Sequence, residues 1–175
     1  MKSTGVVRRI DDLGRIVIPK EIRRSLRIHD GESMEIFVDN ELIALKKYSS
    51  LDELVNLSIL LVDVIYNDIK KEVLITDMDK VIAYSGKDKK KYLSSCISQN
   101  LVQMINERMS IKISKKDVEL IDGISYNSGF IIYPIIANGD ACGSVVVLCG
   151  DTEINEEDER LVKFVADFLG KHIEQ

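Results

Sequence analysis

A chain of 175 residues with 45% apolar and 30% charged side chains can enclose one moderate core, or one small unit beside an ordinary domain. Its net charge is −5 and its apolar runs fall far short of the roughly 20 residues a membrane helix needs. No apolar signal core follows Lys2, so a cytoplasmic, globular protein without membrane contact is expected. Three cysteines, Cys96, Cys142 and Cys149, show neither CxxC nor Cys/His spacing, which argues against a disulfide framework and structural zinc. Buried free thiols are expected instead.

The charge is unevenly spread. Residues 1–28 carry eight basic side chains against three acidic ones, a local +5 that leaves −10 for the remainder. A local positive field on an otherwise acidic chain suits a polyanionic partner. Residues 3–10 are β-prone, 11–14 supply Asx and glycine turn chemistry, and 15–18 are β-branched, so a strand, a loop and a strand are expected. Pro19 suits the first turn of a helix in which Ile22 and Leu26 share an apolar face, while Arg23 and Arg27 share another with Arg24 beside it. Alternation at Met34, Ile36 and Val38, a turn over 39–41 and a run over 42–47 complete a second strand pair. Fewer than 50 residues without disulfide or metal rarely close a core, so two copies are expected to interleave and share one.

These residues resemble a known family. The stretch STGVVRRIDDLGRIVIPKEIRRSLRI, followed by ESMEIFVDNELIALKKY, is similar to the swapped-hairpin DNA-binding domain of the AbrB transition-state regulators. A basic strand, a D-x-L-G-R-x-V-I-P loop and strand, and an E-x-R-R helix occur in the same order and spacing. The resemblance implies an interlocked, β-rich dimer over residues 1–50 whose partner is double-stranded DNA. Its contacts carry over to Arg8, Arg9, Arg15, Arg23 and Arg24; Arg27 is set aside, at a position where relatives carry glycine. Guanidinium suits the task because it is always charged and grips phosphate, or the O6/N7 edge of guanine, with two parallel donors. With about eight phosphates neutralised per dimer, log K should fall with log salt at a slope near −7, and groove shape should add preference without a strict consensus.

Beyond Tyr48 the character changes. The stretch SSLDELVNLSILLVDVIYNDIKK predicts a helix with Ser50 or Asp52 as N-cap. Its apolar residues cover more than one face, so it is expected to pack against its own domain and a partner at once. EVLITDMDKVIAYSG predicts a hairpin around DMDK, residues 89–109 a polar helical stretch, and FIIYPIIANGDACGSVVVLCG a hairpin turning at Asn138-Gly139. The last helix opens with Asn155 as N-cap and the acids 156–159 at its positive end.

This order resembles a GAF domain over residues 51–175, and the fold class is α+β: a swapped-hairpin unit followed by an antiparallel sheet flanked by helices. The pairing of the two parts is similar to a family of regulators of endospore-forming bacteria. That implies a tetrameric, nucleoid-associated transcription factor of the forespore cytoplasm, activating some late forespore genes and repressing others. No enzyme and no cofactor are expected: His29 and His172 lack a nucleophile or paired carboxylate at motif spacing, and the aspartates of DMD read as a turn. Tyr84, Tyr133 and Asn138 would line or edge a GAF pocket, but core packing and turn chemistry account for them better, and a small-molecule effector stays unidentified. The competing reading is a protein-interaction module of antitoxin type, which uses the same N-terminal fold but continues into a flexible tail.

Overall fold

The computed structural model describes residues 5–28, 30–49, 51, 54–114, 116–150, 152–153 and 155–174. The chain divides into two compact units, Met1–Tyr48 and Ser49–Gln175.

The first unit holds a helix, α1 (Lys20–Ser25), and two strands, β1 (Met34–Asp39) and β2 (Leu42–Lys47). The strands pair antiparallel with Asp39 opposite Leu42, and Asn40 takes the left-handed conformation (φ 49°) that the tight connection requires. Pro19 stands at the N-cap of α1 with φ −56°, already set for the helix that follows. The expected strands over 3–10 and 15–18 are not formed: described residues 5–18 belong to no strand, and residues 3 and 4 lie outside the description. A strand exists only where a second strand accepts and donates its ladder bonds. The single chain's β1 and β2 pair with each other. No described residue of the unit is buried, and Val7, Ile10, Val17 and Val38 stand among the exposed apolar side chains.

The second unit is layered. Five strands, β3 (Glu72–Thr76), β4 (Val81–Ser85), β5 (Ile111–Ile113), β8 (Gly129–Ala137) and β9 (Asp140–Gly150), form an antiparallel sheet of order β4-β3-β9-β8-β5. Its strands are apolar on successive residues because both faces are covered. Val73, Ile75, Ile131, Val145 and Val147 pack with Val62 and Ile65 of α2 (Val55–Ile69) and with Val162, Val165 and Leu169 of α5 (Glu156–Ile173). Leu74, Phe130, Ile132, Val146 and Leu148 face the other way, toward Leu101 and Ile105 of α4 (Gln99–Asn106). A small hairpin, β6 (Val118–Ile121) with β7 (Ile124–Tyr126), adds to that second side.

Local signals account for most boundaries. The β8–β9 connection is Asn138-Gly139 with φ of 51° and 83°, the paired positive values of a two-residue hairpin turn. Asn155 caps α5 in a reciprocal box with Asp158. The caps proposed at Ser50 and Asp52 lie outside the described residues; α2 itself begins after Leu54. The polar stretch 89–109 is not one helix but two, the short α3 (Lys89–Tyr92) and α4, broken by residues 93–98 that include Ser94 at φ 65° and bridges at Cys96 and Ile97. Ser98 then caps α4 by accepting from the Leu101 amide.

Candidate nucleic-acid interface

The basic residues of the first unit are carried by three kinds of backbone. Arg8 and Arg9 lie on the irregular segment before the loop, Arg15 at the end of the loop, and Arg23 and Arg24 on α1. The loop is the most constrained of these. The Asp11 carboxylate accepts from the backbone amides of Leu13 (3.1 Å) and Arg15 (2.7 Å), and from Nε of Arg15 (2.7 Å). Backbone bonds between Asp11 and Arg15 and between Gly14 and Asp11 close the same turn, with Gly14 at φ 76°. The Arg15 amide and then its guanidinium hold the Asp11 carboxyl below its ordinary range. Asp11 uses Nε, so the outer nitrogens of Arg15 are left to point elsewhere.

On α1, Arg23 Nη1 meets Asp30 at 2.6 Å, a partner the sequence reading did not single out. Arg24 is exposed, and neither it nor Arg9 forms an ion pair with a described residue. The helix ends in a Schellman arrangement: Ile28 N donates to Arg23 O at 2.7 Å, Arg27 N donates to Arg24 O at 3.2 Å, and Arg27 is left-handed at φ 53°. This is a position that favours glycine, so Arg27 occupies a backbone role unlike that of the other arginines.

The second unit's candidates separate. Tyr84 is buried and stacked on Tyr92 with ring centroids 5.0 Å apart, and burial pushes its phenol up. Tyr133 borders a cavity of about 260 Å³ with Glu156, Glu159, Arg160 and Lys163, and Asn138 is in its turn. A wider cleft of about 530 Å³ opens between α4 and β5–β6, edged by Asn100, Gln103, Glu107, Lys116 and Glu119. Asp77 accepts from the amides of Asp79 and Lys80, both at 2.7 Å, as a turn aspartate does, and no described residues form a metal-binding cluster. Of the cysteines expected to be buried, only Cys149 is; Cys96 is exposed and Cys142 intermediate. Burial pushes the Cys149 thiol up to about 11. His29 lies outside the described residues, and His172 stacks on Phe168 near the end of α5. No described helix is long and apolar enough to cross a membrane.

A basic hairpin unit is thus joined to a layered sheet unit flanked by helices. Comparison with known proteins places it further. Residues 53–174 match the family described as stage V sporulation protein T C-terminal, transcription factor, and residues 7–52 match the antidote-toxin recognition family MazE, bacterial antitoxin. The chain is 45% identical to stage V sporulation protein T of Bacillus subtilis across the full length of both. Over 48 residues it is 60% identical to the transition state regulatory protein AbrB of the same organism, covering 27% of this chain and 50% of that one. The second unit is similar in fold to the GAF domain of an Acinetobacter phosphoenolpyruvate-protein phosphotransferase, with a TM-score of 0.57 and 15% identity over 73% of this chain and 84% of that one. The chain therefore belongs to the stage V sporulation protein T family and is a regulator of bacterial sporulation.

Proposed function

We propose that the first unit grips duplex DNA as a two-fold dimer, with Arg8, Arg9, Arg15, Arg23 and Arg24 from each copy on phosphates and groove edges. The observation that carries this is the coincidence of two features in one 48-residue unit. Its described residues include no buried side chain, and its arginines lie on an irregular segment, a pinned loop and a helix. A second copy would cover the exposed apolar residues, supply ladder partners for residues 5–18, and double the arginine set on one surface. Most contacts would go to phosphates and position the protein; the remainder would read groove shape.

A second self-contact fits the other unit. Leu60 and Val64 of α2 are each about two-thirds exposed, as is Phe164 of α5, and α2 and α5 share one face of the sheet. Pairing these helices with those of another copy would make dimers into tetramers. The setting would be the forespore cytoplasm and its nucleoid, with activation at some late genes and repression at others. For a small-molecule effector, the cleft between α4 and β5–β6 offers the room. The regulator is favoured over the antitoxin reading because the described residues between 54 and 174 fold into a layered unit with two cores in place of an extended tail.

The test is Arg15→Ala and Arg23→Ala in the full chain, measured by fluorescence anisotropy on a duplex selected in vitro with the wild-type protein. Each removes two contacts per dimer and should weaken binding at least about 30-fold, from roughly 1–3 kcal/mol per lost contact, while mass in solution stays the same. Undiminished binding by both variants at moderate salt would overturn the assignment.

A further inference from the structure

The second unit is acidic, yet four of its basic residues fall within five positions: Lys87, Lys89, Lys90 and Lys91, interrupted only by Asp88. All four are exposed. Elsewhere in the unit six of the nine described basic residues, Lys71, Arg108, Lys112, Arg160, Lys163 and Lys171, are each in an ion pair with a carboxylate of the same unit. None of the four clustered lysines is in an ion pair with a described residue; Lys91 alone lies over a ring, 5.3 Å from the centroid of Tyr92.

The platform beneath them is firm. Tyr92 is buried, stacks on Tyr84 and fixes α3 to the sheet, and the Asp88 amide donates to the Tyr84 hydroxyl at 3.2 Å. The Lys87 amide donates to Glu72 on β3 at 3.3 Å. The lysines therefore fan outward from an anchored turn, with no exposed aromatic or arginine among them.

We infer that this lysine turn is a second phosphate-binding surface, which engages the backbone of duplex DNA flanking the stretch held by the first unit. The inference rests on the DNA-binding reading above. Three arguments select DNA over a protein partner. Interfaces between proteins are depleted in lysine and built around aromatic and arginine anchors, which this turn lacks, whereas point-like ammonium groups serve well on a phosphate ladder. The chain is also already tethered to DNA, so contact requires no new encounter. Reach is sufficient as well. The connection between Lys47 and Leu51, which is buried in the second unit's core, can span about 13 Å and the second unit has a radius of gyration of about 14 Å, so its whole surface lies within about 50 Å, or roughly 15 base pairs, of β2.

The experiment compares the full-length wild type with a variant combining Lys87→Gln, Lys89→Gln, Lys90→Gln and Lys91→Gln. The in vitro selected site is centred in duplexes of about 20 and about 60 base pairs, short and long against that reach. The variant should match wild type on the short duplex and bind the long one about 5- to 10-fold more weakly near 0.1 M salt. Its salt slope on the long duplex should be shallower by at least about 2, from about 0.9 per lost phosphate contact. Equal binding by the two proteins on the long duplex would overturn the inference and leave a solvated face or an acidic protein surface as the occupant. An equal loss on both lengths would also overturn it, since a general field effect needs no flanking contact. If wild type binds neither duplex, the DNA-binding reading falls and this inference with it. Binding to the short duplex separates the two failures.

Discussion

Asp11 shows how one acidic side chain can serve a basic surface. Its carboxylate accepts two loop amides and the Nε of Arg15, so it shapes the loop and aims the guanidinium at the cost of one negative charge nearby. Because the folded loop holds its pKa below the ordinary 3.8, its stabilising contribution is present above that value and is lost as pH falls through the lowered one. The amide resonances of Leu13 and Arg15 should therefore titrate with a midpoint below 3.8 in the intact chain, and Asp11→Asn should abolish the titration. A midpoint at or above 3.8 would mean that the loop bonds are not populated in solution.

At the scale of elements, α5 is fastened to the sheet by a group that its sequence disguises. Residues 156–159 read as four equivalent acids favouring a helix N-terminus, yet Asp158 alone is buried. It completes the capping box with Asn155 and pairs with buried Lys71, whose Nζ also donates to Glu153 O at 2.9 Å. Removing one partner of a buried pair strands the other charge, so Asp158→Ala should cost about 3–5 kcal/mol, read as a lower midpoint in denaturant melts. A loss under about 1 kcal/mol, within the range of an exposed cap alone, would show that Lys71 finds water or another acceptor.

Sequence patterns reached the elements whose determinants are local: the Asn138-Gly139 turn, the Asn155 cap, and the hairpin of β3 and β4. They missed what depends on distant residues. Gly143 and Gly170 look unremarkable in the chain, but a Cβ there would stand 1.9 Å from Thr76 O and 2.2 Å from Ile136 O, so each permits a close backbone approach. The same limit applies to the site. The arginines were legible as a cluster and by resemblance, whereas the Asp30 partner of Arg23 and the left-handed backbone of Arg27 emerge only from the folded chain.

For the whole molecule, the proposed pairing of α2 and α5 between copies can be tested apart from that of the first unit. Val64→Glu combined with Phe164→Glu places like charges on the exposed helix face of the second unit without touching a buried position. If that face joins dimers into tetramers, light scattering should give a tetramer for the wild type and a dimer for the variant, with per-dimer DNA affinity retained. A variant of unchanged mass would mean that α2 and α5 face solvent in the assembly.

The uncovered interior of the first unit has a consequence for regulation over time. If a second copy completes it, as proposed, the number of competent DNA readers at low abundance grows as the square of the number of chains. A modest rise in synthesis becomes a steep rise in occupancy, and dilution reverses it as sharply. On that reading the protein counts its own copies before it reads a promoter.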